Sequence, residues 1–176
     1  MKSFDLDSAI RKIPDFPHKG ILFYDITGIL TNPEAFAWCI DRMCEIYADR
    51  NIDSIACIEA RGFVFAAPFA YRMGIPLVLV RKAGKLPGRI MKKEYSLEYG
   101  RATIEIQASD ILPGQKVLVL DDLIATGGTL KAAVELIEEA GASVADIFGV
   151  IGLPFLNYHD VLKGYSITVL QEYYNE

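Results

Sequence analysis

The stretch Val117-Leu118-Val119-Leu120-Asp121-Asp122-Leu123-Ile124-Ala125-Thr126-Gly127-Gly128-Thr129 holds the residue types best suited to chemistry. Apolar residues spell a buried strand from Lys116 to Leu120, two acids close it, and a loop of small residues leads into a helical pattern from Leu130. Gly127 and Gly128 let backbone N–H groups come close to an anion, Thr126 and Thr129 add hydroxyl donors, and the helix start adds its positive end. Such a loop cradles a phosphate. It is not one of the common nucleotide loops, since neither the GxxxxGK[ST] lysine nor the GxGxxG spacing is present. Asp121 and Asp122 would repel a polyphosphate directly. They fit sugar hydroxyls, or a magnesium ion that screens the charge.

A second feature has the opposite sign. From Arg81 to Lys93 there are six basic residues (Arg81, Lys82, Lys85, Arg89, Lys92, Lys93) and no acid. An even spread would place roughly one there. Such a run is either a solvated face or an anion site. A third feature, Glu59-Ala60-Arg61-Gly62, follows the apolar run Ser54–Ile58, and its arginine offers a planar fork of donors to phosphate oxygens.

These residues need elements to position them. Leu6, Ile10 and Ile13 have helical spacing up to Pro14, and a loop with Pro14, Pro17 and Gly20 follows. Asn32 and Pro33 read as the N-cap and first position of a helix with Phe36, Ile40, Met43 and Tyr47 on its apolar face. Ser54–Ile58 reads as a buried strand, Phe63–Met73 as a helix closed by Gly74, and Pro76–Val80 as another strand. The pattern then lapses for about twenty residues, a length that marks functional loops. Alternation returns at Ala102–Gln107, Pro113-Gly114 is a turn, and Leu130–Ala140 is a helix ending at Gly141. Strands around Val144–Leu153 and Ser166–Leu170 complete the chain. Buried apolar strands alternating with helices predict an α/β fold, a mainly parallel sheet with helices on both faces, as one domain over residues 1–176. In such sheets ligands bind at the carboxyl ends of the strands, where the two acids fall.

Composition narrows the class. The chain has 176 residues, 52% of them hydrophobic, and a net charge of −5. It can bury a core without metal or disulfide staples, and its acidic balance argues against a nucleic-acid binder. Gly149, Gly152 and Pro154 break up its most apolar stretch, so no membrane span is expected, and the acids in MKSFDLDSAI do not suit a signal peptide. The three cysteines (Cys39, Cys44, Cys57) form no CxxC pair and read as reduced thiols of a cytoplasmic protein. Two histidines without an HExxH, and no GxSxG, leave little for zinc or serine hydrolase chemistry.

The Asp121-Asp122 and Ala125–Thr129 block resembles the PRPP-binding motif of the type I phosphoribosyltransferases, PRPP being 5-phosphoribosyl 1-diphosphate. The blocks Ile13–Pro17, Phe23–Thr27, Glu59–Phe63, Arg81–Pro87 and Tyr95–Gly100 extend the resemblance over nearly the whole chain, toward the branch that acts on adenine. It implies purine salvage, adenine and PRPP giving AMP and pyrophosphate with Mg²⁺, in a cytoplasmic homodimer with a small N-terminal hood and a mobile lid. Asp121 and Asp122 would hold the ribose hydroxyls, and Ala125, Thr126, Gly127, Gly128 and Thr129 the 5′-phosphate. Glu59, Ala60, Arg61, Arg81, Lys82 and Lys85 would serve the pyrophosphate. Leu22, Phe23 and Leu153 would sandwich adenine, while in the lid Glu98 would act as general acid/base at purine N7 and Tyr99 would help to close the site. The magnesium would be held mainly by substrate, with Asp121 and Asp122 as candidate indirect ligands.

The chain departs from that pattern near the base. Tyr24 stands where many members have a basic residue, Gly152 where an acid precedes the Leu153 equivalent, and Pro154–His159 replaces a Gly-rich, basic stretch. Two alternatives therefore stay open: an enzyme for a 6-oxopurine such as xanthine, and a PRPP sensor without catalysis.

Overall fold

The computed structural model describes residues 4–96 and 100–175. A short 3-10 turn, Leu6–Ala9, opens the chain, followed by the antiparallel strands β1 (Arg11–Pro14) and β2 (Leu22–Asp25), which form a two-stranded sheet of their own. The helical spacing of Leu6, Ile10 and Ile13 is thus not a helix. Leu6 and Ile10 are buried around the 3-10 turn, whereas Ile13 lies 38% exposed on β1, paired with Phe23.

A one-turn helix α1 (Thr27–Leu30) leads to α2 (Pro33–Tyr47), β3 (Ser54–Ile58), α3 (Gly62–Met73) and β4 (Leu77–Lys82). The Asn32 side chain accepts hydrogen bonds from the Glu34 and Ala35 N–H groups, as its cap position requires. Gly74 ends α3 in the left-handed region (φ +66°), where residues with a Cβ are strained. Then come β5 (Ile90–Ser96), β6 (Arg101–Gln107), β7 (Lys116–Ile124), α4 (Gly128–Glu139), β8 (Ser143–Gly152), a 3-10 turn at Pro154–Leu156, α5 (Tyr158–Val161) and β9 (Ile167–Glu172).

The seven-stranded sheet has the order β5-β6-β4-β3-β7-β8-β9. The five strands from β4 to β9 are mutually parallel, while β6 runs antiparallel to both β4 and β5. The expected long loop after Val80 is therefore partly a hairpin arm. On its helix-facing side Met91 and Tyr95 pack against the α4 cluster, and between them Lys93 breaks the apolar alternation: its Nζ lies 3.1 Å from Glu135 and 2.5 Å from Glu139 of α4.

Strand alternation divides the core. Ile55, Cys57, Leu118, Leu120 and Phe148 face α2 and α3, and Ala56, Ile58, Val117, Val119 and Ile147 face α4. One buried carboxylate ties the first face together. Asp146 Oδ2 accepts from Tyr47 Oη (2.8 Å), Arg50 Nη1 (2.7 Å) and Thr168 Oγ1 (2.7 Å), linking α2, β8 and β9. Truncating a buried, paired acid strands its partners, so Asp146→Ala is expected to lower stability by about 3–5 kcal/mol in urea unfolding. A loss below about 1 kcal/mol would show that the network is dispensable.

Candidate active site

The carboxyl ends of β3 and β7 meet the start of α4. β7 runs past Leu120 to Ile124, so Asp121 and Asp122 lie inside the strand and not beyond it, with Asp121 paired to Gly149 of β8. Gly127 caps α4 at φ +82° with no side-chain cap, in contrast to α2 with its Asn32. The first amides of α4 are thereby left for an anion. Ala125–Thr129 line a hollow of about 80 Å³. An adjoining cleft of about 170 Å³ is lined by Glu59, Ala60, Arg61, Lys82, Asp121 and Asp122, among others. Asp121, Leu123 and Thr129 belong to both.

Charges in the cleft are matched in pairs. Arg81 Nε donates to Glu59 Oε2 (2.7 Å), and the Lys82 N–H donates to Oε1 (3.1 Å). Burial pushes the Glu59 carboxyl up, but these two bonds and the nearby cations outweigh it and hold the group below its ordinary range. Arg61 Nε lies 2.7 Å from Asp122 Oδ2, yet that buried oxygen accepts no hydrogen bond. Burial first, and then the negative charge of Asp122, raise the Asp121 carboxyl well above its usual value. A buried acceptor without a donor, next to a carboxyl driven toward neutrality, is a pair poised for hydroxyl groups.

The helix that follows is shaped by the same acids. A Cβ at Gly62 would sit 2.9 Å from Cys57 Sγ and 3.2 Å from Asp121 Oδ1, so only glycine lets α3 start this close to β7.

The family model for the phosphoribosyl transferase domain matches residues 25–153. The chain belongs to the phosphoribosyltransferase family. The adenine phosphoribosyltransferase of Treponema denticola is 60% identical over 176 residues, covering 100% of this chain and 93% of that protein. The crystal structure of adenine phosphoribosyltransferase from Thermoanaerobacter pseudethanolicus is 45% identical with a TM-score of 0.91, covering 96% of this chain and 98% of that one. A Trypanosoma brucei adenine phosphoribosyl transferase in complex with AMP, pyrophosphate and ribose-5-phosphate is 27% identical (TM-score 0.86), covering 95% and 78% of the two chains. The mainly parallel, helix-flanked sheet expected from the sequence is the fold of these relatives.

In this phosphoribosyltransferase the residues expected at PRPP line the two hollows, except Arg81 and Lys85. Arg81 stands behind Glu59, and Lys85 is exposed, its backbone carbonyl 3.4 Å from Arg81 Nη1. The basic run divides as its sequence left open. Arg89 and Lys92 are exposed, and Lys93 is spent on α4. Leu22, Phe23 and Leu153 line neither hollow; Leu22 and Leu153 share one apolar cluster, while Phe23 has Phe16 edge-on to its ring (5.0 Å between ring centres). Glu98 and Tyr99 lie outside the described residues.

Sequence reasoning missed two tyrosines of the site. Tyr95 lines the cleft and its Oη accepts from Thr129 Oγ1 (3.1 Å), joining β5 to the phosphate loop. Only its place in the Tyr95–Gly100 block signalled it. Tyr158 is fully buried and packs under Gly127, while its Oη donates to Glu172 Oε1 (2.7 Å). That hydroxyl would lie 2.7 Å from a Cβ at Gly152. Gly152 is thus glycine because Tyr158 occupies the space, and the two departures are one arrangement. Gly152→Ala is expected to destabilise by about 1–3 kcal/mol in thermal unfolding, and adding Tyr158→Phe to recover part of the loss. Strictly additive losses would contradict this account.

Proposed function

We propose that this phosphoribosyltransferase acts in purine salvage, transferring the 5-phosphoribosyl group of PRPP to N9 of adenine and releasing AMP and pyrophosphate. One observation carries the reading: an uncapped helix start, two adjacent strand acids and two cations, Arg61 and Lys82, converge in adjoining hollows, with Arg81 behind them on Glu59. The adenine phosphoribosyltransferase relatives, matched over nearly their full length, favour adenine as acceptor.

The Ala125–Thr129 loop and the amides of α4 would hold the 5′-phosphate, and Asp121 and Asp122 the ribose hydroxyls. Asp122 Oδ2 gains the donor it lacks. Arg61, Lys82 and Arg81, with Glu59 orienting Arg81, would stabilise charge on the departing pyrophosphate as the C1–oxygen bond breaks, and Lys85 would add to that field. N9 then bonds to C1, and Glu98 would take the proton that leaves N7, sparing the purine a net positive charge. Tyr99 would help to exclude water, which competes for C1. Leu22, Phe23 and Leu153 would enclose the ring.

Magnesium fits as a companion of the substrate. Among the described residues no group of three acidic, histidine or cysteine side chains could cage a metal, whereas two carboxylates with an unbonded oxygen suit an ion carried by phosphates and water. Bound there, it would offset diphosphate charge.

The exposed face of α3 supports a homodimer. Val64 (42% exposed) and Tyr71 (88%) lie on one helical stripe with Ala67, next to the strand that carries Arg81. A mass of two chains by light scattering is expected, with monomers for Val64→Asp/Tyr71→Asp. A wild-type monomer would refute it. A cytoplasmic site agrees with three free cysteines, of which Cys39 is pushed up to about 12 by burial.

Incubation with Mg²⁺, PRPP and a panel of purines tests the function. AMP should form from adenine, with guanine, hypoxanthine and xanthine turned over poorly. Turnover of xanthine without adenine would overturn the assignment, and PRPP binding without AMP would indicate a sensor. Glu98→Gln is expected to lower kcat by about 10²–10⁴-fold.

A further inference from the structure

The residues assigned to the base come from two separate pieces of structure. Leu22 and Phe23 belong to the small β1-β2 sheet, and Leu153 follows the last residue of β8. Among the described residues no strand pairing joins the two sheets, so other contacts set the width of the gap between them.

Tyr173 is bonded to both pieces. Its N–H donates to the carbonyl of Gly152 (3.0 Å), the residue before Leu153. Its ring stacks on Tyr24, the residue after Phe23, at 3.9 Å between centres and 20° between planes. Its hydroxyl donates to Asp7 Oδ1 (2.5 Å). Asp7 also holds Lys12 Nζ at 2.8 Å, and that ammonium lies 5.3 Å from the Tyr173 ring centre. Tyr24 Oη in turn donates to the carbonyl of Asn175 (3.1 Å), so the chain end is tied to β2 as well. These bonds are charge-assisted or half-buried, the kind that fix geometry. Consistently, the hydrogen bonds from Lys12 and Tyr173 hold the Asp7 carboxyl below its usual range.

We propose that Tyr173 is a positioning residue for the purine: by clasping Tyr24 and Asp7 to the Gly152 strand end, it sets the spacing between Phe23 and Leu153, and with it adenine affinity and discrimination. The proposal rests on the assignment of Leu22, Phe23 and Leu153 to the base. It also gives Tyr24 a reason. At this position the chain keeps an aromatic ring because its contact is another ring.

Steady-state kinetics on the full chain with Mg²⁺-PRPP test it. Tyr173→Phe keeps the stack and loses only the Asp7 bond, and is expected to raise KM for adenine by about tenfold while KM for PRPP stays within about twofold. Asp7→Ala, which removes the acceptor, should do the same, and the double variant should be no worse than either alone. Tyr173→Trp, which restores a stacking face without the hydroxyl, should stay closer to Tyr173→Phe than Tyr173→Ala does. Phe23→Ala and Leu153→Ala serve as controls. If they raise KM for adenine and Tyr173→Phe does not, or if Tyr173→Phe raises both KM values alike, the clasp is refuted. If neither control moves KM for adenine, the pocket assignment falls, and the clasp with it.

Discussion

Two neighbouring carboxylates inside a buried strand impose the constraint that organises this molecule. Asp121 and Asp122 cannot both carry an unscreened charge in the middle of a sheet. The surroundings answer each in its own way. Burial and its neighbour keep Asp121 toward the neutral form, whereas Asp122 faces Arg61. Because Arg61 must reach across from the end of β3, the next residue has to pass almost against β7. That residue is Gly62, whose missing Cβ leaves room for Cys57 and Asp121. The turn between β3 and α3 is therefore dictated from the strand next door.

The same economy of charge explains why the basic residues do not scatter. Arg81 is fixed by Glu59, Arg61 by Asp122, and Lys93 by two glutamates of α4. A site for a polyanion is then assembled from cations that are already oriented, which lowers the ordering cost of gripping a ligand. The amides at the start of α4 complete the set without adding net charge, because Gly127 replaces a side-chain cap with a bare turn.

Local information explains which parts were readable from sequence. The Asn32-Pro33 cap and the glycine closing α3 each state their role within a few residues, and each is found where expected; the Asp121–Thr129 block announces a strand, a small-residue loop and a helix start, although the strand runs on to Ile124. The first strand was misread because Leu6 and Ile10 are buried by a 3-10 turn whose period imitates a helix, while Ile13 faces solvent. β5 was hidden because Lys93, between Met91 and Tyr95 on its helix side, meets a pair of glutamates and breaks the alternation in hydrophobicity. Tyr95 and Tyr158 were out of reach for a different reason. Their partners, Thr129 and Glu172, are 34 and 14 residues away, and nothing in a linear spacing announces such contacts.

Both oddities on the base side trace to one edge strand. Glu172 ends β9 and Tyr173 follows it, its N–H still bonded to the Gly152 carbonyl, and neighbours on an extended segment project to opposite faces. Glu172 turns toward α5, where it receives the hydroxyl of Tyr158 that crowds Gly152. Tyr173 turns toward β2 and the Leu6–Ala9 turn, where it meets Tyr24 and Asp7. Gly152 and Tyr24 look like unrelated exceptions in the sequence, yet each is matched to one of two adjacent residues. The pairing of β8 with β9, with Gly152 opposite Glu172, fixes both at once. A slip of one residue would send the carboxylate to the small sheet and the ring to the helix, losing both contacts together. The base side thus depends on the register of β9 much as the phosphate side depends on the acids of β7.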